Sequence, residues 1–323
     1  MAAPSVLSPM SRLAPADHGF VATEDLFVVV ETGSWRVRCG VLNLPRDGEG
    51  EGGIVRSYFD DFPCCVARPR REGMDLNELV NGASSLAAPM YSKFRDIGLF
   101  VGGDAWYCVM DHPDSGLRSK LNLSCPMERG HVTSVEDASR DVERLWEHAY
   151  MLLKQDSSQV PIILPYKPTA TPDELWQMVS VLFEVLKVPA VRLANEATLA
   201  TMAAGIRTGV VVDLGESGVY VTPVYEGYPL TESVRAEKVG GGDLTKYLDY
   251  MLLSRTNEQF NQLVDRRRLE YARKIKENKC YVSADFEMEA GRAGHFKRKS
   301  VRVMGSGEVS PKLSNYAVCS ATE

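Results

Sequence analysis

The chain has 323 residues, of which 44% are hydrophobic and 25% are charged, and its formal net charge is −6. This length exceeds the usual size of a single hydrophobic core, so we expect two lobes in an ordinary globular protein. The net negative charge gives no general reason to expect a nucleic acid or an anionic membrane as partner, and no apolar run approaches the roughly 20 residues of a membrane span.

Residues 1–24 contain neither the basic start nor the apolar centre of a secretory signal, and we expect them to form a disordered leader. The seven cysteines stand without CxxC spacing, which favours reduced thiols over a disulfide framework or a zinc site. Both features indicate a cytoplasmic protein, with the nucleus as the alternative location.

After the leader, LFVVVETGSWRVRCGVLNL predicts a strand, a tight turn and a second strand. The irregular segment 68–95 predicts a long excursion. Apolar residues at helical spacing over 137–154 predict a helix, and VPIILP predicts a short buried strand. The next helix, TPDELWQMVSVLFEVLK, has a clear start, because Thr171 can cap it, Pro172 suits its first turn and Glu174 completes a capping box.

The second half of the chain begins with AVRLANEATLATMAAG, which predicts a strand and then a helix of small residues ended by Gly205. TGVVVDLGESGVYVTPVYEGYPL predicts a second strand–turn–strand hairpin. VGGGDLTKYLDYML predicts a glycine turn and a helix capped by Asp243, and residues 261–282 predict a long charged helix. Strands and amphipathic helices alternate in this order, so the expected fold class is α/β with sheets covered by helices.

The two predicted hairpins share one pattern. VVVETGS and VVVDLGES each place a carboxylate, a glycine and a hydroxyl after an apolar run, and their separation predicts duplicated lobes that face one another. Glycine turns expose backbone N–H groups that can converge on an anion. A carboxylate at a strand end, Glu31 or Asp213, can hold the water shell of a Mg²⁺ ion that bridges phosphates. The alternative is that both carboxylates only satisfy hairpin turns.

VVVDLGESGVYVTPVYEGYPL resembles the second phosphate loop of the actin family, and ETGSWRVRCG resembles the first. LANEATLATMAAG resembles the helix that crosses between the lobes, and GGGDLTKYL and RKIKENKCYVSADFE resemble segments that approach the nucleoside. The resemblance implies an actin/Hsp70-type ATPase fold with a first lobe over 25–205, a second lobe over 206–290 and a divergent tail over 291–323. The family continues further, with a glycine-rich adenosine loop, so the second lobe is expected to be incomplete.

The same resemblance implies that ATP and Mg²⁺ bind between the lobes, with Glu31 and Asp213 reaching the metal through water. Glu196 stands where actins carry the glutamine that positions the attacking water, and a carboxylate can orient or deprotonate water. Glu196 and Asp213 are therefore the catalytic candidates. The implied cofactor contacts come from both loops, the glycine turn and the charged helix, and they are Ser34, Trp35, Arg36, Arg38, Gly215, Glu216, Ser217, Gly218, Gly241, Arg273, Lys276 and Glu277.

The first loop departs from the family pattern at Glu31, where aspartate is usual, and at Trp35, where a glycine normally lets the phosphate approach. The expected function is that of an actin-related structural subunit, at most a slow ATPase, in a cytoskeletal or chromatin-associated assembly of protein partners. Direct binding to a membrane or to nucleic acid is not expected. The alternatives are an active ATPase or phosphotransferase on the same core, and a degenerate actin-like fragment that binds little nucleotide.

Overall fold

The computed structural model describes residues 26–43, 56–70, 98–111, 119–133, 137–253, 265–285, 288, 301–302 and 308–309. The expected leader (1–24) lies outside these residues, as do most of the excursion (68–95) and most of the divergent tail (291–323). The expectations for those three segments therefore stay predictions.

Strands in the described residues form five sheets, and the strands over 26–32, 162–166 and 209–214 coincide with apolar runs of the sequence. In chain order they are β1 (Leu26–Thr32), β2 (Arg36–Asn43), β3 (Arg56–Pro63), β4 (Val66–Pro69), β5 (Phe100–Val101), β6 (Leu121–Ser124), β7 (Met127–Glu128), β8 (His131–Val132), β9 (Ile162–Tyr166), β10 (Val191–Asn195), β11 (Gly209–Leu214), β12 (Val219–Tyr225), β13 (Tyr228–Pro229), β14 (Arg235–Glu237), β15 (Val301–Arg302) and β16 (Glu308–Val309).

Helices alternate with these strands through most of the described chain. They are α1 (Gly103–Trp106), α2 (Ala138–Leu152), α3 (Pro172–Ser180), α4 (Glu196–Ala203), α5 (Gly241–Leu253) and α6 (Asp265–Lys279). No helix of the described residues combines the length and the apolar character that crossing a membrane requires.

The first sheet has the strand order β10–β9–β1–β2–β3. β1 and β2 form the first hairpin, with Glu31 opposite Arg38, and β3 continues antiparallel to β2. β9 and β10 extend the other side of β1 as parallel strands. Because β1, β9 and β10 are parallel, their carboxyl ends meet at one edge of the sheet. Side chains that directly follow these strands are brought together at that edge, which is where open α/β sheets bind ligands.

The second sheet is built on the second hairpin. β11 and β12 pair antiparallel, with Asp213 opposite Tyr220, and both β13 and β14 pair with β12. Helix α4 begins directly after β10 and leads to β11, so it connects the two sheets. These sheets and helices confirm the expected α/β class, whereas the lobe boundary at residue 205 stays a prediction.

Helix α2 supplies the main packing layer on the first sheet. Its Leu145 and Trp146 are at most 1% exposed, and they join the core cluster that contains the fully buried Val28 and Val30 of β1. Burying one side chain of this size contributes about 1.5–3 kcal/mol. Trp146 also donates its Nε1–H to Thr32 Oγ1 at 2.9 Å. The helix therefore fixes the end of β1, directly before the turn of the first hairpin.

The capping box predicted at the start of α3 is confirmed. Thr171 Oγ1 accepts a hydrogen bond from Glu174 N at 3.3 Å, and Glu174 Oε2 accepts one from Thr171 N at 2.8 Å. The α-helix ends earlier than expected, because the chain forms a π-helical turn over Val181–Val185. This turn holds Leu182 fully buried in the core. Apolar periodicity predicts a helix here and does not reveal such a widened turn.

The cysteines of the described residues form no disulfide. Cys39, Cys64 and Cys65 are at most 2% exposed. Burial raises the pKa of all three thiols, that of Cys39 to about 12. They therefore stay neutral and pack as small apolar side chains in and beside the first sheet.

His148 on α2 makes the stability of the fold depend on pH. Its ring is 2% exposed and lies edge-on to Phe62, with the ring centroids 4.7 Å apart. Burial lowers the pKa of His148 from 6.5 to about 4. The unfolded chain regains the higher pKa and therefore binds the proton more tightly between these two values, so stability falls as the pH falls through that window.

We predict that acidification from pH 7 to 4 lowers the free energy of unfolding by about 3 kcal/mol more in the parent than in His148→Gln, since each pKa unit is worth about 1.4 kcal/mol. Urea unfolding of both chains in steps of pH measures the difference. The loss due to His148 should begin near pH 6.5 and level off below about pH 4. Parallel stability curves for parent and variant would contradict the prediction.

Candidate functional site

The turns of the two hairpins are in direct contact. The Oγ atoms of Ser34 and Ser217 lie 2.8 Å apart, within hydrogen-bond distance. Ser217 Oγ also accepts a hydrogen bond from Arg129 N at 2.9 Å, and the Tyr220 hydroxyl donates one to Arg129 O at 2.7 Å. Arg129 belongs to the short turn between β7 and β8. Three turns from distant parts of the chain therefore meet at one point, and two of them are the predicted phosphate loops.

Lys167, which the sequence analysis did not single out, lies at the centre of the predicted catalytic residues. Its Nζ is 2.6 Å from Glu196 Oε2 and 2.6 Å from Asp213 Oδ2. Lys167 follows β9 and Glu196 follows β10, so the parallel strand ends bring these two side chains together, while Asp213 comes from β11 of the second sheet. The two catalytic candidates are thus bridged by one ammonium group.

Lys167 remains positively charged at every physiological pH. Burial of its side chain, which is 15% exposed, would by itself lower the pKa of the ammonium group. The carboxylates of Glu196 and Asp213 outweigh this cost and raise the pKa above its usual range. The ring of Tyr220 lies 5.5 Å from Nζ and adds a favourable cation–π contact.

The remaining charged residues of the first hairpin are paired along the first sheet. Glu31 Oε1 accepts a hydrogen bond from Arg38 Nη1 at 2.9 Å, across the β1–β2 register. Arg36 forms an ion pair with Asp61 on β3. The structure therefore pairs the predicted metal-shell residue Glu31 with the predicted phosphate ligand Arg38, and it turns Arg36 toward β3.

Trp35, in the turn of the first hairpin, contacts one residue of α6 and one of α1. The guanidinium of Arg273 on α6 lies 3.5 Å from the centre of the Trp35 ring, and Trp106 meets the same ring edge-on at a centroid distance of 4.8 Å. Arg273 also forms a bidentate ion pair with Glu216, with Nη1 at 3.0 Å from Oε2. The indole of Trp35 thus ties the first hairpin, through Arg273, to the turn of the second.

The glycine turn before α5 packs against the second hairpin. Gly241 N donates to Gly215 O at 3.0 Å, and Gly242 N donates to Glu216 O at 2.7 Å. Lys276 Nζ donates to Gly241 O, which joins α6 to the same turn. The predicted contacts Gly215, Glu216, Gly241 and Lys276 are therefore close together, but the groups named here bind one another.

The prediction that Asp243 is the N-cap of α5 was wrong. The helix begins at Gly241, so Asp243 lies inside its first turn. There its Oδ2 accepts a hydrogen bond from Gly240 N at 3.0 Å. The carboxylate still satisfies a backbone donor at the helix start, but it does so from within the helix. The prediction for Glu277 also gains no support, because this side chain lies on the exposed side of α6.

A cleft of about 320 Å³ lies between the two hairpins and α4. Three carboxylates line it, from Glu31, Glu196 and Asp213, together with Tyr220 and Thr222. Side chains of α4, among them Ala197, Leu199 and Ala200, form an apolar part of its wall. Within the described residues, no group of three His, Cys, Asp or Glu side chains has the arrangement of a metal site.

Comparison with known proteins identifies this arrangement. The family model for actin matches residues 27–306, a stretch that contains both hairpins, α4, the glycine turn and α6. The chain belongs to the actin family. The match confirms the actin-type fold that the phosphate-loop resemblance implied.

Two curated proteins show how this actin-family chain relates to known members. Actin-related protein 2 of Acanthamoeba castellanii is 38% identical over 265 residues, which cover 81% of this chain and 57% of that protein. Centractin of Schizosaccharomyces pombe is 29% identical over 256 residues, which cover 76% of this chain and 59% of that protein. The chain thus spans less than two thirds of the length of these relatives.

The residues of the site fit the Mg²⁺·ATP of an actin-type cleft only in part. The turns offer hydroxyls and backbone N–H groups of the kind that bind phosphate, but the contact between Ser34 and Ser217 leaves no room for a phosphate between the two hydroxyls. Glu196 and Asp213 are held by Lys167, and Glu31 is held by Arg38. Each carboxylate expected near the metal already has a cation, so this arrangement does not fit Mg²⁺.

We predict that Gly240→Ala lowers the free energy of unfolding by about 1–3 kcal/mol, the usual cost of overpacking. A Cβ at Gly240 would lie 2.4 Å from both Glu216 O and Gly218 N, and these backbone atoms would have to move apart. Gly103→Ala is the matched control, because a Cβ there meets no atom within 4 Å. Denaturant unfolding should separate the two variants, and equal midpoints would contradict the predicted packing.

Proposed function

We propose that this chain is an actin-related structural subunit that joins a protein assembly and hydrolyses ATP slowly, if it hydrolyses ATP measurably at all. Membership of the actin family supports this proposal, as does the similarity to proteins named actin-related protein 2 and centractin. The cytoskeleton in the cytoplasm is the proposed location, with the nucleus as the alternative. The observation that carries the proposal is an exposed apolar surface on the second sheet.

This surface is the outer row of strand β11, formed by Val210, Val212 and Leu214, which are 63%, 56% and 76% exposed. Among the described residues β11 pairs with β12 alone, so its other edge also presents unpaired backbone groups. An apolar row along an open strand edge is a surface on which another polypeptide can add a strand or pack. Strand addition favours a protein partner over a nucleic acid or a membrane.

ATP is the nucleotide that the actin family implies, and we propose a structural role for it in this chain. Its phosphates would contact Ser34, Ser217 and the backbone of the two turns once the two hydroxyls separate. Such a ligand would hold the hairpins at a defined spacing, because each turn would contribute contacts from one side. The Mg²⁺ expected from the sequence is not part of this proposal, since its expected carboxylates are paired.

An active ATPase or phosphotransferase is the weaker alternative. Hydrolysis would require the Glu196 carboxylate to orient or deprotonate a water molecule, but this carboxylate is 2.6 Å from the Lys167 ammonium. Burial raises the pKa of the Glu196 carboxyl more than Lys167 lowers it, but Lys167 holds one carboxylate oxygen and fixes its orientation toward Nζ instead of a water molecule. The pairing therefore favours the structural role over catalysis.

For purified protein with Mg²⁺ and ATP, we predict turnover slower than about 0.01 s⁻¹, roughly a thousandfold below the median enzyme rate of about 10 s⁻¹. The rate of phosphate release measures this turnover. Glu196→Ala should leave this low rate unchanged, as should the control Glu232→Ala at an exposed position. Faster turnover that Glu196→Ala abolishes and Glu232→Ala preserves would establish the ATPase alternative instead.

We predict that Val210→Lys reduces association through the β11 surface, because a charged side chain disfavours burial against an apolar partner. Sedimentation velocity at increasing protein concentration should show self-association of the parent, less of it in Val210→Lys, and no reduction in the control Gln177→Lys on the exposed face of α3. Both variants should unfold within about 0.5 kcal/mol of the parent. A parent that stays monomeric at every concentration would contradict an adhesive β11 surface.

A further inference from the structure

The surroundings of Lys167 hold both its backbone and its side chain in place, unlike those of a surface lysine. Its stem crosses the turn between β7 and β8, where a Cβ on Gly130 would lie 2.4 Å from Lys167 Cγ. Gly130 has a φ of 78°, so both its backbone conformation and this close contact require glycine. Lys167 O also accepts a hydrogen bond from Ala170 N at 2.9 Å, which closes the turn before α3. The lysine is therefore positioned by its backbone and along its stem.

The ammonium group of Lys167 joins a residue at the edge of the first sheet to a residue of the second sheet. Glu196 is the first residue of α4, at the edge of the first sheet, and Asp213 lies near the end of β11 in the second sheet. Both carboxylates are 2.6 Å from Nζ. Without a cation between them, two partly buried carboxylates that share one point would repel each other.

A divalent cation would also offset the repulsion between the carboxylates of Glu196 and Asp213, but in a different way. Mg²⁺ draws carboxylates together from opposite sides of a cleft, and it keeps several water molecules while doing so. Lys167 already contributes one positive charge at the point where the two carboxylates converge. A Mg²⁺ ion added there would be repelled by the ammonium group and would have to displace it.

The third carboxylate of the cleft, that of Glu31, is also paired with a cation. Glu31 faces Arg38 at 2.9 Å, and this pair lies on the first hairpin alone. Lys167 therefore connects carboxylates that belong to the two sheets, whereas Arg38 neutralises a charge within one of them. The direct contact of Ser34 with Ser217 is consistent with a cleft that is held closed by its own side chains.

We propose that the Lys167 ammonium takes the place of a divalent cation between Glu196 and Asp213, and that the two hairpins close on each other without Mg²⁺ and without nucleotide. This role depends only on residues of the chain itself, and it holds whether or not the proposed assembly role is correct. Removing the ammonium group would leave two unpaired carboxylates, and the cleft would then gain an affinity for Mg²⁺ that the parent lacks.

The test compares the thermal unfolding midpoint of the parent and of Lys167→Met in EDTA and in millimolar MgCl₂, without nucleotide and with NaCl added to equal ionic strength. The parent midpoint should be the same in both buffers. Lys167→Met keeps the length of the stem but removes the charge, so its midpoint in EDTA should fall by about 5–15 °C. Mg²⁺ should restore a large part of that loss.

Two further variants separate charge compensation from simple loss of packing. Lys167→Arg keeps the positive charge, and its midpoint should not respond to Mg²⁺. In Lys167→Met combined with Asp213→Asn, one carboxylate is neutral, and the response to Mg²⁺ should disappear. If Lys167→Met does not fold in EDTA, its refolding yield with and without Mg²⁺ replaces the midpoint, and recovery with Mg²⁺ supports the proposal.

The proposal is overturned if Mg²⁺ stabilises the parent as much as Lys167→Met, or if Lys167→Met shows no response to Mg²⁺ in either measurement. Mg²⁺ binding to the parent, detected by titration calorimetry and lost in Asp213→Asn, would also overturn it. None of these results bears on self-association, which Val210→Lys addresses, so a failure of this proposal and a failure of the proposed function can be told apart.

Discussion

The negative charge of Glu31, Glu196 and Asp213, which line a single cleft, is the constraint on which the rest of the site depends. The fold meets it with one cation within the first hairpin, Arg38, and one that reaches between the sheets, Lys167. The Lys167 pairs are mostly buried, and such a pair gives little net stability because desolvation offsets the attraction, although losing one partner typically costs about 3–5 kcal/mol. Arg38 is 64% exposed, and its pair with Glu31 contributes little to stability. Both cations therefore fix the geometry of the cleft more than they add to the stability of the fold.

The parts of the structure that could be predicted from the sequence are those with a local cause. The hairpins around Glu31 and Asp213 follow from apolar runs interrupted by a carboxylate and a glycine, and the capping box at Thr171 follows from residue identities three positions apart. The family resemblance of both turns implied the actin-type fold, which the match over residues 27–306 confirms. In each case, residues that are close together in the sequence hold the signal.

The remaining parts depend on contacts between distant segments. Lys167 follows the short strand in VPIILPYKP without any motif, and its link to Asp213 exists only because the two sheets face each other. A signal was nevertheless present, since a lysine and a glutamate that directly follow neighbouring parallel strands must meet at one sheet edge. Trp35 was recognised as a departure, but its stacking on Arg273 requires α6 to lie beside the first hairpin, which periodicity along α6 does not determine.

The rate at which reagents modify the buried thiols of the first sheet reports how often the fold opens locally. Cys39 lies on β2, and Cys64 and Cys65 follow β3, next to the turn of the first hairpin. Alkylating reagents and oxidants react with the thiolate form of cysteine. Burial excludes such reagents and, because it raises the thiol pKa, keeps these sulfurs protonated. Their modification rate is therefore limited by how often this edge of the sheet opens. The packing that shields the thiols from oxidative damage thus turns their labelling rate into a measure of local unfolding beside the cleft.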